Sequence, residues 1–164
     1  MQTFLAILAL LLLPLEDVEA APDATVHCPG RDDWVMLQGR CYFFGKDKIN
    51  FDQAMDACLK KGTGSSLVEI DSKEEQEAIS KHLGKDNERK DWWIGLTDRK
   101  VNGEWKWRTS GKSLAGAYTN WYGKFEPSNG WKEDCVRMQM VEQKWYWNDY
   151  QCASKYAYIC ESGM

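Results

Sequence analysis

Residues 126–135 read Glu126-Pro127-Ser128-Asn129-Gly130-Trp131-Lys132-Glu133-Asp134-Cys135, and a little further on the chain reads Trp147-Asn148-Asp149. These two segments bring carboxylates, an amide and a hydroxyl close together in sequence. All are hard oxygen donors, the kind a calcium ion needs to fill its six to eight positions. No imidazole accompanies them, which disfavours zinc and copper. Carboxylates gathered without a cation repel one another strongly. Read alone, the same residues are more simply a solvated acidic loop.

The surroundings say where the segments sit. From Cys135 to Val141 the apolar residues Val136, Met138 and Met140 alternate with Arg137 and Gln139, the pattern of a half-buried strand. Lys144–Trp147, Trp92–Leu96, Glu104–Trp107 and Tyr156–Cys160 read as further short aromatic strands. Between them Thr109–Asp134 has no helix or strand periodicity. A stretch of that length inside a compact domain is functional or disordered, and its aromatics and Pro127 favour a functional loop. A Cys135–Cys152 bridge would hold Glu133-Asp134 beside Asn148-Asp149 and stabilise the fold by about 3 kcal/mol. Neighbouring strand residues point to opposite faces. Asn148 and Asp149 therefore serve one ion only if the strand bends there or Asp149 uses its backbone carbonyl.

On the N-terminal side, Trp34–Leu37 and Cys41–Phe44 flank Gln38-Gly39-Arg40 and predict a β-hairpin, which Cys28 and Cys41 could staple. Asn50 is a helix cap, followed by one apolar stripe through Phe51, Ala54, Met55, Cys58 and Leu59, with Gly62 as the stop. Ser72 and Glu75 form a capping box for a second helix, whose thin stripe is Ile79 and Leu83 and whose end is Gly84. His82 on that helix reads as a solvated surface histidine. Residues 84–91 form a charged loop. Trp93, Trp105, Trp107 and Tyr158 read as core.

The chain has 164 residues, which fits one domain. It is 43% hydrophobic and 28% charged, an ordinary globular balance. A formal charge of −4 without a basic run argues against nucleic-acid binding. Phe4–Leu13 is an apolar run too short to span a bilayer, where about 20 residues are needed. With Val18 and Ala20 at small-residue positions, residues 1–20 read as a secretory signal peptide cut after Ala20. The expected product is extracellular, without membrane insertion. Its 6 cysteines then read as three disulfides, and their spacing leaves the connectivity open.

Trp93-Ile94-Gly95-Leu96, Glu126-Pro127-Ser128, Glu133-Asp134-Cys135, Trp147-Asn148-Asp149 and the terminal Cys152 and Cys160 together resemble the C-type lectin-like domain. The resemblance covers Cys28 to Cys160. It implies an α+β fold in which two helices flank antiparallel strands beneath a long calcium-binding loop region. The expected division is a lead over 21–27, the domain over 28–160 and a tail over 161–164. It also implies the pairing Cys28–Cys41, Cys58–Cys160 and Cys135–Cys152, and a cis peptide between Glu126 and Pro127.

Carried over residue by residue, the principal Ca2+ site uses Glu126, Ser128, Glu133, Asn148 and Asp149. In the family this ion also binds sugar through two vicinal hydroxyls, and the ligands hydrogen-bond those hydroxyls in turn. Sugar contacts then fall to Glu126, Ser128, Glu133 and Asn148. Ser128 departs from both common family motifs, which carry Asn or Asp there. Glu126 leans the reading toward mannose, whereas Trp131 leans it toward galactose, whose apolar face stacks on a ring. Trp131 is equally readable as loop packing. An auxiliary Ca2+ site maps to Asp98, Asn102, Asn129 and Asp134, with Glu133 shared. Asn102-Gly103 also reads as a plain hairpin turn.

The resulting expectation is a secreted, calcium-dependent lectin without catalysis that binds mannose-type or galactose-type glycans on cell or microbial surfaces. Innate immune recognition or agglutination would be the use, and a non-covalent homo-oligomer would supply avidity. The alternative is a non-sugar interaction or matrix protein that binds mineral or protein on the same fold. A glycosidase built on Glu126 and Glu133 is disfavoured, because a metal would occupy both carboxylates.

Overall fold

The computed structural model describes residues 27–162 apart from 29, 85–89, 129 and 131. The expected leader, nearly all of the lead, the interior of the charged loop, Asn129 and Trp131 therefore lie outside the described residues. In chain order the elements are β1 (His27–Cys28), β2 (Arg31–Leu37), β3 (Arg40–Ile49), α1 (Phe51–Lys60), β4 (Ser65–Leu67), α2 (Lys73–Leu83), β5 (Trp92–Thr97), β6 (Lys106–Trp107), β7 (Cys135–Val141), β8 (Lys144–Tyr150) and β9 (Tyr156–Ser162). The sheet order is β1-β2-β3-β9-β5-β7-β8, with β4 beside β9 and β6 beside β5. β5 and β9 run parallel, and the other pairs are antiparallel. The disulfides join Cys28 to Cys41, Cys58 to Cys160 and Cys135 to Cys152, the pairing that the resemblance implies.

The helices form where their ends are satisfied, although not always by the expected groups. At α1 the Asn50 side chain accepts from the Gln53 N–H at 2.9 Å, and the Gln53 side chain accepts from the Asn50 N–H at 3.1 Å. This is a complete capping box. Phe51, Ala54 and Cys58 are buried, but Leu59 is 60% exposed and drops out of the expected stripe. At α2 Ser72 accepts from the Glu75 N–H at 3.2 Å. Glu75 does not return the bond to Ser72. Its carboxylate is buried and accepts from Tyr42, Arg40 and the Asp71 N–H. The cap is thus one-sided, because a tertiary partner outcompetes the local one. His82 is exposed and lies against Phe44, with ring centroids 4.3 Å apart.

Several strand boundaries differ from expectation: β2 starts at Arg31, β3 runs on to Ile49 and β8 to Tyr150. β9 continues through Glu161 and Ser162, which pair with β3 and β4 and so belong to the sheet rather than to a tail. β1 begins at His27, inside the expected lead, because His27 pairs with Val35. The expected strand over Glu104–Trp107 shrinks to β6, since Val101–Glu104 form a turn instead.

The centre of the molecule is β5, buried along its whole length. The Trp93 indole N–H donates to the Ile49 carbonyl at 3.0 Å and its ring meets Phe51 and Tyr156 edge to face. Gly95 leaves room for a crossing backbone: its N–H donates to the Val68 carbonyl at 2.8 Å. A Cβ at residue 95 would lie 2.9 Å from the Leu67 carbonyl oxygen and 3.1 Å from that of Val68. Backbone cannot step aside as a side chain can. Gly95→Ala is therefore expected to cost about 2–3 kcal/mol, as overpacking does. The denaturant midpoint in urea should fall by about 1 M or more, and an unchanged midpoint would show that the strands separate freely there.

Candidate functional site

The long loop is held down by Trp147. This buried ring meets Trp107, Tyr118 and Trp121 edge to face at 5.7–5.8 Å, a favourable aromatic arrangement. Its indole N–H donates to Gln76 on α2 at 2.7 Å. Its backbone N–H donates to the Asn120 carbonyl at 2.8 Å, and its carbonyl accepts from the Tyr122 N–H at 2.9 Å. At the start of the loop the buried Glu69 carboxylate accepts from the N–H groups of Thr109 and Ser110. The segment without periodicity is thus fixed by ring packing and by backbone bonds to a strand. The residues after Trp147 are Asn148 and Asp149, so the anchor also positions the site.

Four of the expected ligands meet. The Glu126–Pro127 peptide is cis. The Ser128 N–H donates to Glu126 Oε2 and to Asp149 Oδ1, each at 3.0 Å. The Ser128 hydroxyl is 2.9 Å from Glu133 Oε2 and 3.3–3.4 Å from the two Asp149 carboxylate oxygens. Gly130 makes room for Glu133: a Cβ on it would lie 2.1 Å from Glu133 Oε2. Burial pushes the Glu126 carboxyl up to about 7, helped by a hydrogen bond to Asp149 and by the charge of Asp149. Crowded carboxylates share protons in this way, and a cation would relieve the same crowding. As placed, the carboxylates close on the Ser128 hydroxyl. Among the described residues no group of three or more His, Cys, Asp or Glu is set to hold a metal ion.

Asn148 does not join them. β8 runs unbroken against β7, with Asn148 opposite Arg137 and Asp149 opposite Val136. The strand does not bend, so the two side chains go to opposite faces. Asp149 is 1% exposed and turned to Ser128. The Asn148 Oδ1 accepts from Arg137 Nη2 at 3.2 Å.

At the auxiliary position, Asp98 is buried and Asp134 adjoins it through the Asp98 N–H to Asp134 carbonyl bond at 3.3 Å. Thr97 Oγ1 donates to the same carbonyl at 2.5 Å. Asp98 Oδ2 accepts from the Gly103 N–H at 2.7 Å, while its buried Oδ1 has no partner among the described residues. Burial pushes the Asp98 carboxyl up, and the charges of Asp134 and Asp149 add to this against the Gly103 bond. Asn102 lies exposed in the turn that carries Gly103. Asn129 and Trp131 are outside the described residues.

Sequence reasoning missed Arg137 and Asp91. Arg137 lies in a strand whose alternation suggests a wet face, yet it is only 9% exposed and pairs with Asp91. An arginine among apolar residues was the visible signal; its burial was not. Phe125, beside Glu126, is 89% exposed at the rim.

The family model for the lectin C-type domain matches residues 47–162. The chain is 35% identical over 134 residues to CD209 antigen-like protein C of Mus musculus, covering 82% of this chain and 68% of that protein. It spans 28–37% of the length of several other curated relatives. Among solved structures it is similar to the mouse scavenger receptor C-type lectin carbohydrate-recognition domain, with 37% identity, a TM-score of 0.68, and coverage of 82% of this chain and 95% of that one. It is also similar to a calcium-independent type II antifreeze protein, with 29% identity, a TM-score of 0.68, and coverage of 84% and 95%.

Proposed function

The chain belongs to the C-type lectin domain family, and on that premise we propose that it is a calcium-dependent carbohydrate-binding protein. The observation that carries this reading is the convergence of Glu126, Glu133 and Asp149 on Ser128. Four oxygen-donor side chains around one point fit calcium chemically. Calcium bound there would neutralise the carboxylates and offer open positions to two adjacent sugar hydroxyls. Glu126 and Glu133 then accept hydrogen bonds from those hydroxyls, and Asp149 holds Ser128 in place from beneath. At the auxiliary position the orphaned, buried Oδ1 of Asp98 beside Asp134 fits a second cation. The glycan is of mannose or galactose type. Both are left open by Glu126 on one side and Trp131 on the other.

The protein is read as secreted, on the apolar leader pattern of residues 1–20 and on disulfides that persist in oxidising compartments. Among the described residues no helix is long and apolar enough to cross a membrane. All the cysteines are paired within the chain, so an oligomer would be non-covalent. Surface-glycan recognition in innate immunity or agglutination is the use this reading favours. It includes no catalytic step.

The test is retention on mannose and galactose resins in calcium. Elution by both EDTA and free sugar is the expected result. A second reading, a non-sugar interaction protein, is favoured by the engagement of Asn148 with Arg137 and by the likeness to a calcium-independent antifreeze protein. Failure of both resins to retain the protein, or retention indifferent to EDTA and sugar, would favour that reading.

A further inference from the structure

A cleft opens at the other end of β8 from Asp149. Its volume is about 520 Å3, within the range of about 300–1,000 Å3 usual for small-molecule sites. One wall is α2 and the other is the start of β8, and two bonds latch the walls together. The buried Trp145 indole N–H donates to the Gly84 carbonyl at 3.0 Å, and the Trp147 indole N–H donates to Gln76 at 2.7 Å. From the long loop, the Asn120 amide donates to the Trp145 carbonyl at 2.9 Å. Asp149 lies about 13 Å beyond Trp145 at the rise of a strand. Neither it nor Glu126, Ser128 or Glu133 lines the cleft.

The walls carry groups that the fold leaves uncommitted. Lys73, Glu77 and Lys81 share one face of α2. Lys73 pairs with Glu77 at 3.4 Å. Lys81 and, on the facing wall, Lys144 form no ion pair among the described residues, although the chain as a whole is acidic. The Tyr118 ring is half-buried and fixed edge to face on Trp147 at 5.7 Å. Its hydroxyl makes no hydrogen bond among the described residues. Burial, with the charges of Glu77 and Glu74, pushes this phenol up to about 12, so it keeps its proton. The Asn120 Oδ1 likewise accepts no hydrogen bond among the described residues.

Two free ammonium groups suit an anion. The phenol and the amide oxygen suit hydroxyls, and the Tyr118 ring suits an apolar face. A sugar ring that bears a carboxylate or a sulfate offers all three. A fatty acid would leave Tyr118 and Asn120 without partners, and a neutral sugar would leave the lysines without theirs. We propose that this cleft is a second, calcium-independent binding site for acidic saccharides. Lys81 and Lys144 hold the anionic group, while Tyr118 and Asn120 hold the ring. The site shares no residue with the calcium site and does not depend on it.

The experiment is titration of the oxidised full chain, followed by amide NMR shifts in EDTA and low salt, where exposed charges are least screened. The probes are an unsulfated chondroitin disaccharide, its sulfated form, neutral diacetylchitobiose and a glutamate tetrapeptide. At least one acidic disaccharide is expected to bind, with shifts on α2, Tyr118 and Lys144–Tyr146. The unsulfated form decides whether a uronate suffices or a sulfate is needed. Lys81→Gln/Lys144→Gln changes two exposed side chains and should weaken binding at least about tenfold, as loss of charged hydrogen bonds does. Tyr118→Phe keeps the ring on Trp147, removes only the hydroxyl and should weaken binding about threefold or more. The same spectra check that each variant is folded. Failure of both acidic disaccharides to bind, shifts elsewhere, or indifference to either variant overturns the proposal. So does equal binding of the neutral sugar, which removes the role of the lysines. Equal binding of the peptide also overturns it, since the cleft would then be a plain patch of charge. Because the readout is taken in EDTA, it stands apart from retention on mannose or galactose resins.

Discussion

Replacing Glu133 with alanine is expected to abolish calcium-dependent retention on sugar resins while leaving the domain folded. Glu133 is half-buried, on the short approach to β7, and its Oε2 accepts from the Ser128 hydroxyl at 2.9 Å. In the calcium-bound state it would be both an ion ligand and an acceptor for a sugar hydroxyl, so one substitution removes two interactions at once. Affinity should fall by at least about 100-fold, or about 2.7 kcal/mol, which is enough to lose a weak single-site lectin from a resin. In EDTA the sign reverses. The native carboxylates crowd one another, and Glu126 is pushed up to about 7 with Asp149 as its neighbour. Removing a nearby negative charge relieves part of that repulsion. The variant should therefore unfold at the same temperature as the native chain or slightly above it when calcium is absent, and below it when calcium is present. Normal sugar retention by the folded variant would move the site elsewhere.

Loss of the Cys58–Cys160 bridge is expected to have the largest effect on stability. It joins α1 to β9 across a sequence separation of 102 residues, and both cysteines are fully buried. Closing a loop of that size restricts the unfolded chain by about 4.7 kcal/mol, whereas the Cys28–Cys41 loop of 13 gives about 3 kcal/mol. The variant Cys58→Ala/Cys160→Ala should melt about 15 °C lower than the native domain. Cys28→Ala/Cys41→Ala should melt between the two. An inverted order would mean that the unfolded chain retains structure around α1 and β9, so that the long bridge restricts less than its span suggests.

The fold was legible wherever one signal was local. Trp93-Ile94-Gly95-Leu96 marks the buried strand because aromatic and aliphatic residues run together there, and Gly95 marks the close approach of Leu67 and Val68. Asn50 announced α1, and Gln38-Gly39 announced the β2–β3 turn, where both residues take positive φ. The β7–β8 turn uses the same geometry at Glu142 and Gln143, with φ of 48° and 64°. Neither residue type favours that region, so the turn cannot be read from composition. β4 is three residues long and exists because β9 offers it an edge.

The candidate site divides along the same line. Glu126, Ser128, Glu133 and Asp149 lie in motifs whose residue types point to oxygen ligation, and the structure gathers them. Asn148 sits in the same motif but follows the pleat of an unbroken strand to the other face. Its partner Arg137 is set by a pairing across β7 and β8, and the partner of Arg137, Asp91, comes from another part of the chain. Non-local charge pairing of that kind leaves no pattern in the sequence. Glu75 teaches the same lesson on α2: its spacing from Ser72 suggests a capping box, but Tyr42 and Arg40 claim its carboxylate.

The sheet order has a consequence for how the domain can be mounted. β1 opens the described chain at one edge of the sheet, Cys28 is tied to Cys41, and the neighbouring Tyr42 pairs with Glu161 near the finish. Entry and exit are therefore neighbours, while β8 and its acidic mouth occupy the far edge. A stalk, bead or sister subunit joined directly beside Cys28 or Ser162 would leave the mouth uncovered, as a plug leaves its prongs clear of the cord.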